Sequence, residues 1–224
     1  MSLEKISIIF FGALAAYLLG AIPFGFLIAR AKGIDIRTVG SNNIGATNVF
    51  RCVGKGWGIF TFVLDVAKGA VSSGLFPLIV FTICDFKLGE HALLKSVLQM
   101  TYGCLAIAGH NWPIYLGFRG GKGVATSAGM LIGLTPLGCG IALLTWIVSM
   151  VAFRYVSLAS IIAAITLGVV AWIFYYKPEP GIWFPITLDI LALIVIWRHR
   201  SNIKRLIAGT EGRLSFKKGK NLGK

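Results

Sequence analysis

Apolar residues run through the chain in seven long stretches: Ile6 to Ala29, Trp57 to Ile83, Leu94 to Gly109, Gly123 to Leu134, Leu137 to Ala152, Val156 to Tyr175 and Ile182 to Trp197. A hydrocarbon layer takes about 20 residues of helix, so the pattern predicts a polytopic all-α membrane protein with short re-entrant or broken segments. Seven crossings require two of the stretches to be short or tilted. Residues 123 to 152 also admit a single span or a re-entrant pair, which leaves five crossings. The first stretch continues past the length of a signal-peptide core, carries Pro23 late and runs into Arg30 and Lys32, so it reads as a retained helix. Residues 1–215 then form one membrane-embedded domain and residues 216–224 a basic tail.

Composition agrees with the pattern. The 224 residues are 56% hydrophobic and 13% charged, with a mean hydropathy of +0.80, too few polar residues to cover a water-soluble domain. Lysine and arginine mark the cytoplasmic side of such proteins. With the N-terminus outside, seventeen of them fall inside and four, Lys5, Lys87, Lys95 and Lys177, outside, while Lys68 lies within a span. The C-terminus is then cytoplasmic. The formal charge of +14 is concentrated in that tail, beside the last helix; anionic lipid is the nearer partner and nucleic acid is not expected. Cys52, Cys84, Cys104 and Cys139 show no CxxC spacing and read as free thiols without catalytic weight.

Three polar segments interrupt the apolar chain, and on this topology all three face the cytoplasm. In GSNNIGATNVFR, Gly40 to Arg51, Ser41, Asn42, Asn43, Thr47 and Asn48 surround Gly45. The glycines permit close backbone approach, the side chains donate, and Arg51 grips an oxyanion with its forked guanidinium. A solvated interhelical loop uses the same turn-forming residues. In GHNWPIYLGFRGGKGVAT, Gly109 to Thr126, the run Gly120, Gly121, Lys122, Gly123 precedes an apolar helix whose N-terminal N–H groups attract anions. It is not a nucleotide P-loop: Lys122 is followed by Gly123 where Ser or Thr is required, and Leu116 replaces the first glycine. His110 is either a phosphate donor, a base or an interfacial cap. In HRSNIKRLIAGTE, His199 to Glu211, a continuing helix would put His199, Asn202 and Arg205 on one face, although a basic stretch after a span is commonly only a topology anchor.

Asp65 and Lys68 lie inside the second stretch, where an unpaired charge costs ~2.5–3.5 kcal/mol. Their i,i+3 spacing predicts mutual neutralisation, in a structural role or orienting a basic residue of the site. The chain holds eight acidic residues in all, none paired for shared metal ligation, so divalent-metal phosphotransfer is poorly supported and no metal or other cofactor is expected. The acidic signature of CDP-alcohol transferases, the His-x4-Asp box of acyl-CoA glycerolipid acyltransferases and the GxSxG elbow are all missing.

Taken together, the three segments resemble the motifs of the PlsY family of bacterial acyl-phosphate:glycerol-3-phosphate acyltransferases. GSNNIGATNVFR matches GSGNxGATNxxR with Asn42 in place of a common Gly; GHNWP followed by FRGGKGVAT and HRSNIKRLIAGTE match the second and third motifs, and LDVAKG at Leu64 to Gly69 also occurs in the family. The resemblance implies a seven-helix inner-membrane enzyme that moves a fatty acyl group from acyl phosphate to the sn-1 hydroxyl of glycerol 3-phosphate, releasing inorganic phosphate and needing no metal. It assigns catalytic roles to Ser41, Arg51, Lys122 and His199. Substrate binding falls to Asn43, Thr47, Asn48, His110, Gly120, Gly121, Gly123, Asn202 and Arg205. Partners are the two substrates, membrane lipids and, in transient contact with the basic face, the soluble enzyme that forms acyl phosphate. The competing class is a phosphate or organophosphate transporter, which would place ionisable residues at the bilayer midplane and show inverted repeats.

Overall fold

The computed structural model describes residues 2–176 and 181–214. The expected tail at 216–224 and Lys177 lie outside them. Among the described residues the chain is helical, without strands. The helices are α1 (Leu3–Ala21), α2 (Phe24–Ala31), α3 (Ala46–Cys52), α4 (Lys55–Ala70), α5 (Phe76–Ile83), α6 (Ala92–Asn111), α7 (Val124–Leu134), α8 (Pro136–Phe153), α9 (Val156–Phe174), α10 (Trp183–Arg198) and α11 (Arg200–Ile207). Among the described residues, five helical runs are long and apolar enough to cross a bilayer: Leu3–Ala31, Lys55–Ile83, Ala92–Leu116, Pro136–Phe153 and Val156–Phe174.

Two prolines shape these runs. A ring nitrogen without hydrogen cannot continue the helical ladder, and it pushes the preceding residue toward extended backbone. Ile22 accordingly adopts φ −58°, ψ 116°, α1 ends at Ala21, and α2 restarts after Pro23. The expected single first helix is thus broken, and the Ile22 carbonyl is no longer held by a helical turn. Pro77 is absorbed differently. The turn ahead of it, Val71–Leu75, widens into a π-helical segment between α4 and α5, the form in which helices accommodate such a mismatch.

Residues 123 to 152 are two helices rather than one span. Thr135 separates α7 from α8, and Pro136 opens α8 at the position where its missing N–H costs nothing. With 11 residues, α7 is roughly 16 Å long, about half a hydrocarbon layer. The glycine run Gly120 to Gly123 leads directly into its N-terminus.

Lipid removes the hydrophobic drive for helices to associate, so contact depends on close packing of small residues. α1 lies on α6 and α4 on α7 through glycines. A Cβ added at Gly129 would strike the Val66 carbonyl, and one at Gly69 the Thr126 carbonyl. That approach brings the Asp65–Lys68 turn of α4 beside the start of α7. Large apolar side chains such as Phe10, Phe11, Val151, Ile173 and Leu193 point outward into what a bilayer would fill.

Gly129→Val should force α4 and α7 apart. At an overpacking cost of about 1–3 kcal/mol, the thermal unfolding midpoint in detergent falls; Gly133→Ala, one turn further along α7, where an added Cβ meets nothing, leaves it unchanged.

Candidate functional site

The first polar segment is organised by one buried side chain. Asn48, 2% exposed, donates its amide to the carbonyls of Ile36 (3.1 Å), Val39 (3.0 Å) and Asn43 (2.9 Å), and its Oδ1 accepts from the Ser41 N–H (2.9 Å). Expected to bind substrate, Asn48 instead spends its whole amide holding the loop in shape. Asn42 lies at φ +56°, a left-handed conformation that Gly adopts freely and Asn tolerates better than other side chains, so the departure from the motif's Gly leaves the loop intact. Asn43 Oδ1 accepts from the Gly45 N–H at 2.9 Å, leaving its NH2 as the unused half. Arg51 donates to the Gly212 carbonyl at 2.9 Å.

The glycine run is clamped on both sides. The Gly121 N–H donates to the His110 carbonyl at 3.0 Å. From α10, Arg198 donates Nε to the Gly121 carbonyl (2.9 Å) and Nη2 to the Gly120 carbonyl (2.8 Å). A Cβ at Gly120 would strike the His110 carbonyl, and one at Gly121 the His110 ring. With these carbonyls turned outward, Gly123 at φ +79° starts α7, and Lys122, Gly123, Val124 and Ala125 form one wall of a cavity. Gly120 and Gly121, expected at the substrate, are its support rather than its lining.

The third segment does not continue α10 as a single helix. His199 is a break (φ −93°, ψ 6°) between α10 and α11. Its Nδ1 lies 2.8 Å from the Val195 carbonyl; a carbonyl only accepts, so Nδ1 carries the proton and Nε2 is left as an acceptor. Burial, with the positive charge of Lys122 adding to it, holds this ring at about 4, neutral near pH 7. Asn202 and Arg205 on α11 both reach Glu211. The Glu211 Oε1 accepts from Asn202 Nδ2 and Ser157 Oγ, each at 2.7 Å, and Oε2 from Arg205 Nε at 2.7 Å. Burial alone would raise the Glu211 carboxyl, but these donors outweigh it and hold it below its ordinary range. Lys122 donates to Asn202 Oδ1, which links the second and third segments. Burial pushes the Lys122 ammonium down to about 8, Glu211 pulling it back and the neighbouring arginines pushing the same way as burial.

The three segments enclose a cavity of about 510 Å³. Ser41, Asn43, Thr47, Asn48, Arg51, His110, Lys122, Gly123, His199 and Asn202 line it, together with the apolar Ile59 and Phe62 of α4, Leu143, Trp146 and Ile147 of α8 and Val156 of α9. A smaller cavity of about 220 Å³ shares Ser41, Asn43, Lys122 and Asn202 and adds Arg198, Arg200 and Arg205 without a carboxylate. Every nominated residue except Gly120 and Gly121 therefore lines one of two adjoining spaces. The carboxylates on the larger cavity, Asp65 and Glu211, are each engaged by neighbouring donors.

Sequence reasoning passed over Arg198, Glu211 and Ser157. The first two carried a signal: Arg198 is a charge at the very end of an apolar helix, and Glu211 is the acidic residue closing a cationic motif. Ser157 carried none.

The fold and site define a multi-pass helical membrane protein with one cavity lined both by cationic and by apolar side chains. The profile of the family described as Glycerol-3-phosphate acyltransferase matches residues 10–209. A glycerol-3-phosphate acyltransferase of Desulforudis audaxviator is 43% identical over 210 residues, covering 91% of this chain and 94% of its own; one of Shouchella clausii is 42% identical over 221 residues, covering 97% and 99%. The crystal structure of PlsY (YgiH), an integral membrane glycerol 3-phosphate acyltransferase, in its glycerol 3-phosphate form aligns with a TM-score of 0.78 at 35% identity over 92% of this chain and 96% of that one. Its lysophosphatidic acid form aligns with a TM-score of 0.75 at 34% identity, covering 92% and 95%. The chain belongs to the PlsY family of glycerol-3-phosphate acyltransferases.

Because the folded Lys122 titrates at about 8 and an unfolded lysine near 10.5, the unfolded chain binds more protons between those values, and stability rises with pH there. Chemical denaturation of the empty protein should show that gain, and Lys122→Met should abolish it. Glu211→Gln, which keeps the shape but removes the charge facing Arg205, should lower the unfolding free energy by about 1–3 kcal/mol.

Proposed function

We propose that the protein transfers a fatty acyl group from acyl phosphate to the sn-1 hydroxyl of glycerol 3-phosphate. The observation that carries this reading is the continuity of one cavity, cationic where Arg51 and Lys122 face it and apolar between α4 and α8. An acyl phosphate has both characters. Its chain lies against Ile59, Phe62, Leu143 and Ile147, and its phosphate meets Ser41, Asn43, Thr47, Arg51 and Lys122, with the N-terminus of α7 alongside. The adjoining cavity, ringed by Arg198, Arg200 and Arg205, takes the phosphate of glycerol 3-phosphate. His199 and Asn202 stand between the two and orient the glycerol hydroxyls, the neutral His199 Nε2 accepting a hydroxyl proton in a hydrogen bond.

The donor is a mixed anhydride, so attack by the hydroxyl oxygen on the acyl carbon breaks the carbon–oxygen bond to phosphate without a prior activation step. The products are lysophosphatidate and inorganic phosphate, and the proton passes to an oxygen of the leaving phosphate. The protein's share is to align the reactants and to stabilise the developing oxyanion with fixed donors. Among the described residues, the two carboxylates on the cavity are held by Lys68 and Arg205, which supports both a substrate phosphate as base and a metal-independent reaction.

The seven helical runs, counting α7 and α10 as crossings, and the lysine and arginine bias together support a domain of residues 1–215. Its N-terminus is outside, its cavity on the cytoplasmic side of a bacterial inner membrane, and its basic face beside anionic lipid and within reach of the soluble enzyme that supplies acyl phosphate. A transporter is disfavoured, since the cationic groups gather at one end of the helices and not along a path through them.

Purified protein with glycerol 3-phosphate and palmitoyl phosphate in EDTA should form 1-acyl lysophosphatidate; product from palmitoyl-CoA alone, or none from either donor, overturns the assignment. Arg51→Ala and Lys122→Ala should each reduce kcat/KM by at least ~100-fold with membrane insertion intact. As Lys122 loses its proton above about pH 8, the KM for the acyl phosphate should rise with pH in wild type, and Lys122→Arg should push that rise to higher pH.

A further inference from the structure

Asp65, Lys68 and His110 form a polar cluster behind the glycine run that the proposed chemistry does not use directly. Side-chain exposures of Asp65 and Lys68 are 3% and 1%, and His110 is 6% exposed. The Lys68 ammonium has three hydrogens and three neighbours: Asp65 Oδ1 at 2.8 Å, the Ile22 carbonyl at 3.3 Å and His110 Nδ1 at 2.8 Å. The Phe24 ring covers it at 5.8 Å. The carbonyl is available because Pro23 breaks the first helix, and the carboxylate because α4 presents residues 65 and 68 on one face.

An ammonium has only donors. His110 Nδ1 has two polar neighbours, this ammonium at 2.8 Å and Asp65 Oδ1 at 3.5 Å; the ammonium is at full hydrogen-bond distance and the carboxylate only at its limit, so Nδ1 accepts and the ring's proton sits on Nε2. That nitrogen lies on the other side of the ring, against Gly121, and His110, like Lys122, is among the residues that line the larger cavity. We propose that Lys68 is a positioning residue: with Asp65 as its counter-ion and the Ile22 carbonyl as its third acceptor, it fixes His110 as the Nε2–H tautomer, so that this ring donates into the cavity beside the start of α7.

Two consequences follow for the reaction proposed above, on which this role rests. His110 is a hydrogen-bond donor to the substrate's oxygens and not a general base, because the nitrogen that could accept is occupied. His199 has the opposite arrangement, its Nδ1–H on the Val195 carbonyl and its Nε2 accepting. The two histidines on one cavity thus present opposite polarity, one donor and one acceptor, and each is set by a residue behind it. That division suits a step in which an acyl oxygen gains negative charge while a hydroxyl gives up its proton.

The test is nitrogen NMR of the full chain in detergent micelles with 15N-labelled histidine, the signals assigned with His91→Gln, His110→Gln and His199→Gln. The expected result is a bare Nδ1 and protonated Nε2 for His110, and the reverse for His199; a protonated Nδ1 on His110 overturns the proposal. The paired variant Asp65→Asn/Lys68→Met removes both buried charges together, so neither is left alone in the interior. It should mix or reverse the His110 tautomers and lower kcat by about 10- to 100-fold, with the KM for glycerol 3-phosphate within about 2-fold. A fall in kcat with the tautomer unchanged would make the cluster purely structural and overturn the proposal, as would an unchanged kcat. Should wild type make no lysophosphatidate while His110 still shows the bare Nδ1, the tautomer assignment stands and it is the acyltransferase reading that fails.

Discussion

The carbonyls of Gly120 and Gly121 turn into the Arg198 guanidinium, and most of the site depends on that attachment. An irregular loop at the edge of a hydrocarbon layer has no water on its inner side to satisfy backbone groups, and each one left bare costs several kcal/mol. Arg198 satisfies two carbonyls at once, and the His110 carbonyl takes the Gly121 N–H. Once those groups are engaged on the outer face, the N–H groups that open α7 are left facing the cavity. A loop of the same composition without an arginine behind it would have no reason to present its donors on one side.

The same economy governs the helices. Gly129 and Gly69 let α4 and α7 touch through backbone, and this contact, not burial of large side chains, brings the buried Asp65–Lys68 turn up to the glycine run. Proline breaks serve it too. Pro23 frees a carbonyl that Lys68 uses, and the widened turn ahead of Pro77 lets α4 continue as α5. Lys68 is consequently tied to a neighbour at the end of α1, on α4 and on α6.

Glu211 does the corresponding work on the far side of the cavity. It accepts from α9 through Ser157 and from α11 through Asn202 and Arg205, and the chain beyond it supplies the Gly212 carbonyl to Arg51 and the Leu214 N–H to the Arg154 carbonyl. A single acidic residue thus draws a hydroxyl from α9 and an amide and a guanidinium from α11 to one wall while leaving Lys122 and Arg51 on the cavity. Its charge offsets theirs only in part, and the net field of the cavity remains positive, as an anionic ligand requires.

Much of this was legible in the linear chain. Hydrophobic length established a helical membrane protein, since only helices and closed barrels satisfy backbone groups in lipid and the apolar runs are longer than barrel strands, and the residue types of the three polar segments pointed to an anion-handling surface. Motif spacing located Ser41, Arg51, Lys122, His199 and Asn202, all of which border the cavity. Roles were a different matter. Whether Asn48 faces a ligand or its own loop, and whether His199 continues a helix or ends one, depend on backbone geometry that composition does not fix, while whether Gly120 and Gly121 line a space or support it, and what Lys68 and Arg51 meet, depend on partners far away in the chain, Arg198, His110 and Gly212. Local composition encodes the capacity to form a hydrogen bond. Only the packing of helices decides which acceptor each donor meets, because in a site this short of carboxylates each acceptor already claimed removes a role from the remaining side chains.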